Sequence, residues 1–64
     1  MKNKEILFEG MRLRAKNITA IRRRGNAIFY KDRTGRLNFL FGYHELEDAK
    51  KGRAYLARKL ERTT

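Results

Sequence analysis

Near residue 44 the spacing of apolar residues changes, and the change divides the chain into two kinds of secondary structure. Before it, apolar and polar side chains tend to alternate, as in strands with one buried face. After it, Leu46, Ala49, Leu56 and Leu60 recur close to the 3.6-residue period of a helix, with Gly52 on the same stripe. The chain has 64 residues and no cysteine. A single domain over residues 1–64 must therefore stand on packing alone or on a partner. Apolar residues at 41% and aromatics at 11% are too many for a disordered basic tail.

The alternating part breaks into short runs. Residues 5–8 are apolar at Ile6, Leu7 and Phe8, and Glu9-Gly10 punctuates them. Met11, Leu13 and Ala15 then alternate with Arg12, Arg14 and Lys16, which predicts a first hairpin. Lys16-Asn17 is a turn. Residues 18–24 form the next strand region, and Gly25-Asn26 follows as a two-residue hairpin turn whose residues both tolerate positive φ. Residues 27–31 form a strand. Asp32 to Gly35 is a turn with Asp first and Gly last. Residues 36–43 form the fifth strand. The helix is expected over residues 45–62. Glu45, Glu47 and Asp48 stand at its start and Arg58, Lys59 and Arg62 at its end, matching the helix dipole. Gly52 costs about 1 kcal/mol of helix propensity against Ala. It marks either a close approach to the sheet or a break between two short helices.

The expected class is α+β, with strands first and one C-terminal helix. Ala27 and Phe29 fall on one face of their strand, and Ile28 and Tyr30 on the other. In the last strand, Leu37, Phe39, Phe41 and Tyr43 share a face opposite Asn38 and Leu40. Both faces of the sheet thus carry apolar groups, whereas a sheet covered by one helix should have a wet side. Either the first hairpin crosses the second face and closes a five-stranded barrel of the src-homology-3 type, or a small antiparallel sheet keeps aromatics on that face for a ligand. The spare hairpin favours the barrel. Leu13, Ile21, Ile28, Phe39, Phe41, Leu46, Ala49, Leu56 and Leu60 are the expected core.

Lys and Arg number 17 and Asp and Glu 7, a net charge of +10. The excess concentrates at residues 22–36, where five arginines and one lysine face one aspartate. Arginine's planar fork suits phosphates and guanine edges. Arg22, Arg23, Arg24, Lys31, Arg33 and Arg36 are the candidate contacts, with Arg12 and Arg14 as a flanking set. Asn26, at a turn tip, is a candidate donor to a phosphate or base edge. Antiparallel pairing places Lys31 beside Arg22 and Arg23. Phe29 and Tyr30 interleave this patch and can stack on or wedge between bases, although each taken alone reads first as plain core packing.

Catalysis is not expected. His44 is the single histidine and there is no cysteine, so nucleophile–base pairs are missing. Glu45, Glu47 and Asp48 point in different directions from a helix start, which leaves no metal site. Gly25 and Gly35 sit in separate tight turns rather than in a phosphate loop. No cofactor is expected. No apolar run reaches the 18 residues of a membrane span, and the first eight residues lack the apolar core of a signal peptide. The absence of cysteine fits an intracellular location, cytoplasmic or nucleoid-associated.

Two families share parts of this pattern. Residues 22–62 resemble the amino-terminal arm-type DNA-binding domains of tyrosine recombinases (phage integrases). The resemblance lies in Arg23-Arg24-Gly25, in the run from Tyr30 to Arg36, and in Phe41-Gly42-Tyr43 before the helix. It implies a three-stranded sheet entering the major groove with a helix bracing it; Ala27 and Ile28 stand where that family carries an aromatic. The whole chain also resembles the roughly seven-kilodalton chromatin proteins of crenarchaea, through Ile6, Phe8 and Gly10, the Gly25 and Thr34-Gly35 turns, and Asp48-Ala49. That resemblance implies minor-groove binding by a sheet face with apolar wedges; the family's tryptophan is absent here, and the matching place is near Arg22. Both imply double-stranded DNA on the sheet. Duplex DNA is therefore the expected partner, ahead of structured RNA and of an acidic protein bound by a small regulator or interaction module. A membrane is not expected, because acidic residues interrupt the basic helix.

Overall fold

A computed structural model describes residues 4–63 of the chain; Lys2, one of the basic residues counted above, lies outside them. The order is β1 (Glu5–Phe8), β2 (Met11–Arg14), a short 3-10 turn (Ala15–Asn17), β3 (Ala20–Arg24), β4 (Ala27–Lys31), β5 (Leu37–Gly42) and α1 (Leu46–Thr63). The class is α+β, as the change of period implies. β1 and β2 form one antiparallel sheet, and β3, β4 and β5 form another with β4 in the middle. Ala15 and Lys16 leave the strand into the 3-10 turn, where the Ile18 amide donates to the Ala15 carbonyl at 3.1 Å.

The turns explain the local pairing. Glu9 and Gly10 have φ of +46° and +79°, the pattern of a type I′ turn. At Gly25-Asn26 only the glycine is positive, at +58°, as in a type II′ turn. Both types match the twist of the strands they join.

The expected barrel does not form. The two sheets remain separate, and the hairpin shares a face of the larger sheet with the helix instead of crossing to the opposite one. Ile6 and Phe8 from β1 join Ala49 and Leu56 from α1 in one buried cluster with Ile21, Ile28 and Leu40. The reason is an irregularity in β5. Pairing runs from Ile28 opposite Phe41 to Phe29 opposite Phe39, so Leu40 is an extra residue. The bulge turns Leu40 inward and changes the phase of all that follows. Phe41 is half-buried and meets Phe8 edge-on at 6.5 Å, whereas Phe39 is 61% exposed on the other face. Leu37, Phe39, Phe41 and Tyr43 therefore do not share one face.

Of the expected core, Ile21, Ile28, Ala49 and Leu56 are buried, and Leu13, Phe41 and Leu60 are half-buried. Phe39 and Leu46 are exposed. Leu46 is the first residue of α1, one turn ahead of the point where the core begins at Ala49.

α1 runs through Gly52 without a break, and the glycine marks a close approach. The Tyr43 ring lies over it: a Cβ there would sit 2.9 Å from Tyr43 Cζ. That ring cannot swing away cheaply. It packs against Phe41 at 4.8 Å, and its hydroxyl donates to the Glu9 carboxylate. Burial, with Glu9 second, pushes Tyr43 ionisation well above its ordinary value of 10.0. Gly52→Ala is therefore expected to destabilise. Overpacking costs about 1–3 kcal/mol and exceeds the roughly 1 kcal/mol gained in helix propensity. Thermal unfolding of the variant should show a lower midpoint than the parent, and an unchanged or raised midpoint would mean that Tyr43 yields freely.

Candidate nucleic-acid interface

Residues directly opposite in an antiparallel ladder share a face. The register of the larger sheet therefore defines its uncovered side row by row. Arg22 stands opposite Phe29, and Phe29 opposite Phe39. On one side of this row lie Arg24, Ala27 and Gly42; on the other lie Ala20, Lys31 and Leu37. The rings of Phe29 and Phe39 meet edge-to-face, centroids 5.6 Å apart. Leu37 is 41% exposed. The face thus combines an aromatic pair at its centre with three cations around it, and none of its strand positions is acidic.

The sequence candidates divide into those on this face and those beside it. Arg22 and Arg24 are exposed and project from it, and their side chains make no hydrogen bond or ion pair to the described residues. Lys31 lies on it half-buried, opposite Ala20 rather than beside Arg22 and Arg23. Arg23 points to the other side of β3, where Nη1 donates to the Gly25 carbonyl at 2.9 Å. Tyr30 also faces away, packed against the core, so Phe29 alone of the two aromatics reaches the open face. Phe39 and Leu37 belong to the site and were not among the sequence candidates; the bulge that turns Phe39 outward has no local signature.

The turns carry the remaining candidates. Asn26 is committed to structure: its side-chain amide donates to the His44 carbonyl at 3.1 Å and its own carbonyl accepts from the Tyr43 amide. Arg33 Nε donates to the Lys16 carbonyl at 2.6 Å, which pins the β4–β5 turn to the 3-10 turn. Arg36 is exposed at the entry to β5. Arg12 and Arg14 stand opposite Leu7 and Glu5 on the outer face of the small hairpin, apart from the open face of the larger sheet.

Asp32 organises the β4–β5 turn. Its Oδ1 accepts from the Thr34 amide, the Thr34 hydroxyl and the Arg36 amide, and its Oδ2 accepts from the Asn38 side chain at 3.1 Å. These donors, the Thr34 side chain first, hold its pKa down at about 2. The carboxylate is thereby occupied within its own turn, between two arginines. Among the described residues no group of three or more His, Cys, Asp or Glu gathers as a metal site. No described helix is long and apolar enough to cross a membrane.

Compared with protein-family models, curated proteins and solved structures, the chain matches none of them.

The Asp32 turn has a measurable signature. A carboxyl group with a lowered folded pKa stabilises most above its unfolded value, and loses that effect as pH falls through the folded value. The contribution of Asp32 is therefore complete above pH 4 and disappears as pH falls from about 4 through about 2. Chemical denaturation across that window should show Asp32→Asn less stable than the parent at pH 5. The difference should narrow toward pH 2; a constant difference would assign the turn's stability to something other than the ionised carboxylate.

Proposed function

We propose that the open face of the β3–β4–β5 sheet binds duplex DNA, with affinity mainly from phosphate contacts. The row Arg22–Phe29–Phe39, uncovered and in register across three strands, carries this reading. Arg22, Arg24, Lys31 and Arg36 neutralise phosphates, and each neutralised phosphate releases condensed counterions. The aromatic pair supplies apolar contact to sugars and bases. Covering an exposed aromatic such as Phe39 contributes about 1.5–3 kcal/mol, comparable to a good base contact. Three strands about 4.8 Å apart span roughly 10 Å, within reach of a B-form major groove about 12 Å wide. The deep, narrow major groove of duplex RNA gives such a face no entry. This favours DNA over RNA. The absence of an acidic strand position on the face favours a polyanion over a neutral apolar partner.

Fluorescence titration against duplex DNA, duplex RNA and single strands over a range of salt tests the reading. With four to six phosphates neutralised, the log–log slope on duplex DNA should lie near −4 to −5. Replacing Arg22, Arg24 and Arg36 by Ala should weaken binding strongly and make the slope shallower by about 1 for each phosphate left without its cation. Replacing Arg58, Lys59 and Arg62 by Ala should do much less. Phe39→Ala should lose affinity by about tenfold, 1.4 kcal/mol, without changing the slope. A flat salt response, or binding confined to an acidic protein, would replace this function with an interaction module.

A further inference from the structure

The sequence candidates leave out the cations of α1's first half, and two of these lie against the edge of β3. Arg22, Arg23, Lys50 and Arg53 line one open groove of about 440 Å³, with Ile21 as its remaining wall. Lys50 and Arg53 are three residues apart, so both project from the same flank of the helix, beside the buried Ala49. The opposite flank lines a separate groove with Asp48, Lys51 and Tyr55. Four cations in one groove with no acidic wall repel one another unless an anion joins them. Two carboxylates lie nearby, outside the lining of this groove. Glu47 meets Lys50 at 3.7 Å with both side chains largely in solvent, a pair of the weakly stabilising kind. Glu61 lines the neighbouring groove, along with Arg22 and Arg53. Arg23 is already oriented: its bond to the Gly25 carbonyl holds the guanidinium and leaves further N–H donors for a ligand.

We infer that this groove is a phosphodiester site, and that the phosphate contacts of a bound duplex continue round the β3 edge from the open sheet face onto Lys50 and Arg53. Arg22 is the hinge of the footprint, because it belongs both to the uncovered Arg22–Phe29–Phe39 row and to the groove wall. The inference rests on the proposed DNA binding and adds a second surface to it. It divides the helix by function. Lys50 and Arg53 contact the ligand, while Arg58, Lys59 and Arg62 serve the helix end; Lys59 already lies 5.6 Å from the Tyr55 ring centroid.

The test measures binding to a duplex about one helical turn long as a function of salt. It compares the parent with three variants: Lys50→Ala/Arg53→Ala, Lys50→Arg/Arg53→Lys, and Arg58→Ala/Lys59→Ala. The first should bind more weakly and make the salt slope shallower by about 2, one for each cation removed from a phosphate. The second keeps both charges and should retain the parent slope. The third should behave as the parent. Stoichiometry should remain one duplex per chain, and two would overturn the shared footprint. If Lys50→Ala/Arg53→Ala keeps the parent slope while Arg22→Ala/Arg24→Ala loses binding, the groove inference fails and the sheet reading stands. If the groove variant loses binding and Arg24→Ala/Phe39→Ala does not, the sheet reading fails and the groove is the site. A parent that binds no duplex at low salt overturns both.

Discussion

Ile28 in the middle strand and Leu56 in the helix lose all solvent exposure within one cluster, and Phe8 from the first hairpin is nearly as deep. The described residues supply one helix and one spare hairpin with which to cover a three-stranded sheet. Each fully buried Ile, Leu or Phe contributes about 1.5–3 kcal/mol. That gain is realised only where water is excluded from every side. Splitting the two covers between the sheet's faces would leave both half wet, and small domains have little margin for that. Placing both on one face closes a single core. The price is an opposite face with no cover, and the Arg22–Phe29–Phe39 row is what remains there.

The elements themselves were legible in the sequence, because their signals are local. The glycine turns, the alternation of Met11 to Arg14 and the helical stripe from Ala49 to Leu60 each lie within a few residues. The closure of the sheet was not legible. A period-2 reading assigns Phe39 and Phe41 to one face, and only the ladder reveals that Leu40 is the extra residue between them. One such residue exchanges the faces of everything after it. The barrel expectation failed for the same reason: the apolar groups assigned to the second face were partly the inward residues of a bulged strand. Of the site, the arginines were visible as a charge run. Their division by side was not, since it depends on register. Arg22 and Arg24 reach the open face, and Arg23, between them, reaches the groove. The cations of α1 were hidden by their mixture with acidic neighbours, which masks a helix flank from a simple charge balance.

The charges are arranged so that the surplus stays available. Residues 10–44 contain nine basic residues and one acidic residue. That one, Asp32, is enclosed by the donors of its own turn. Its role is to shape the loop that presents Arg36 and fixes Arg33, and its low pKa keeps it ionised for that purpose. The positive field over the sheet is thus not cancelled by close pairs. Uncompensated charge of this density weakens the compact state through self-repulsion, so the fold is least relaxed when no anion is bound.

An aromatic pair on an uncovered sheet face, with Phe39 exposed and Phe29 half-buried, also invites association between copies. Here the residues that frame the pair work against that outcome. A second molecule approaching Phe39 face to face would bring Arg22, Arg24 and Lys31 against their own counterparts, in a chain whose net charge is +10. The same cations that discourage a self-contact favour a polyanion, since the sign of the partner reverses the sign of the interaction. Apolar exposure and basic framing are therefore complementary. The rings give the face something to gain by being covered, and the charges select what covers it.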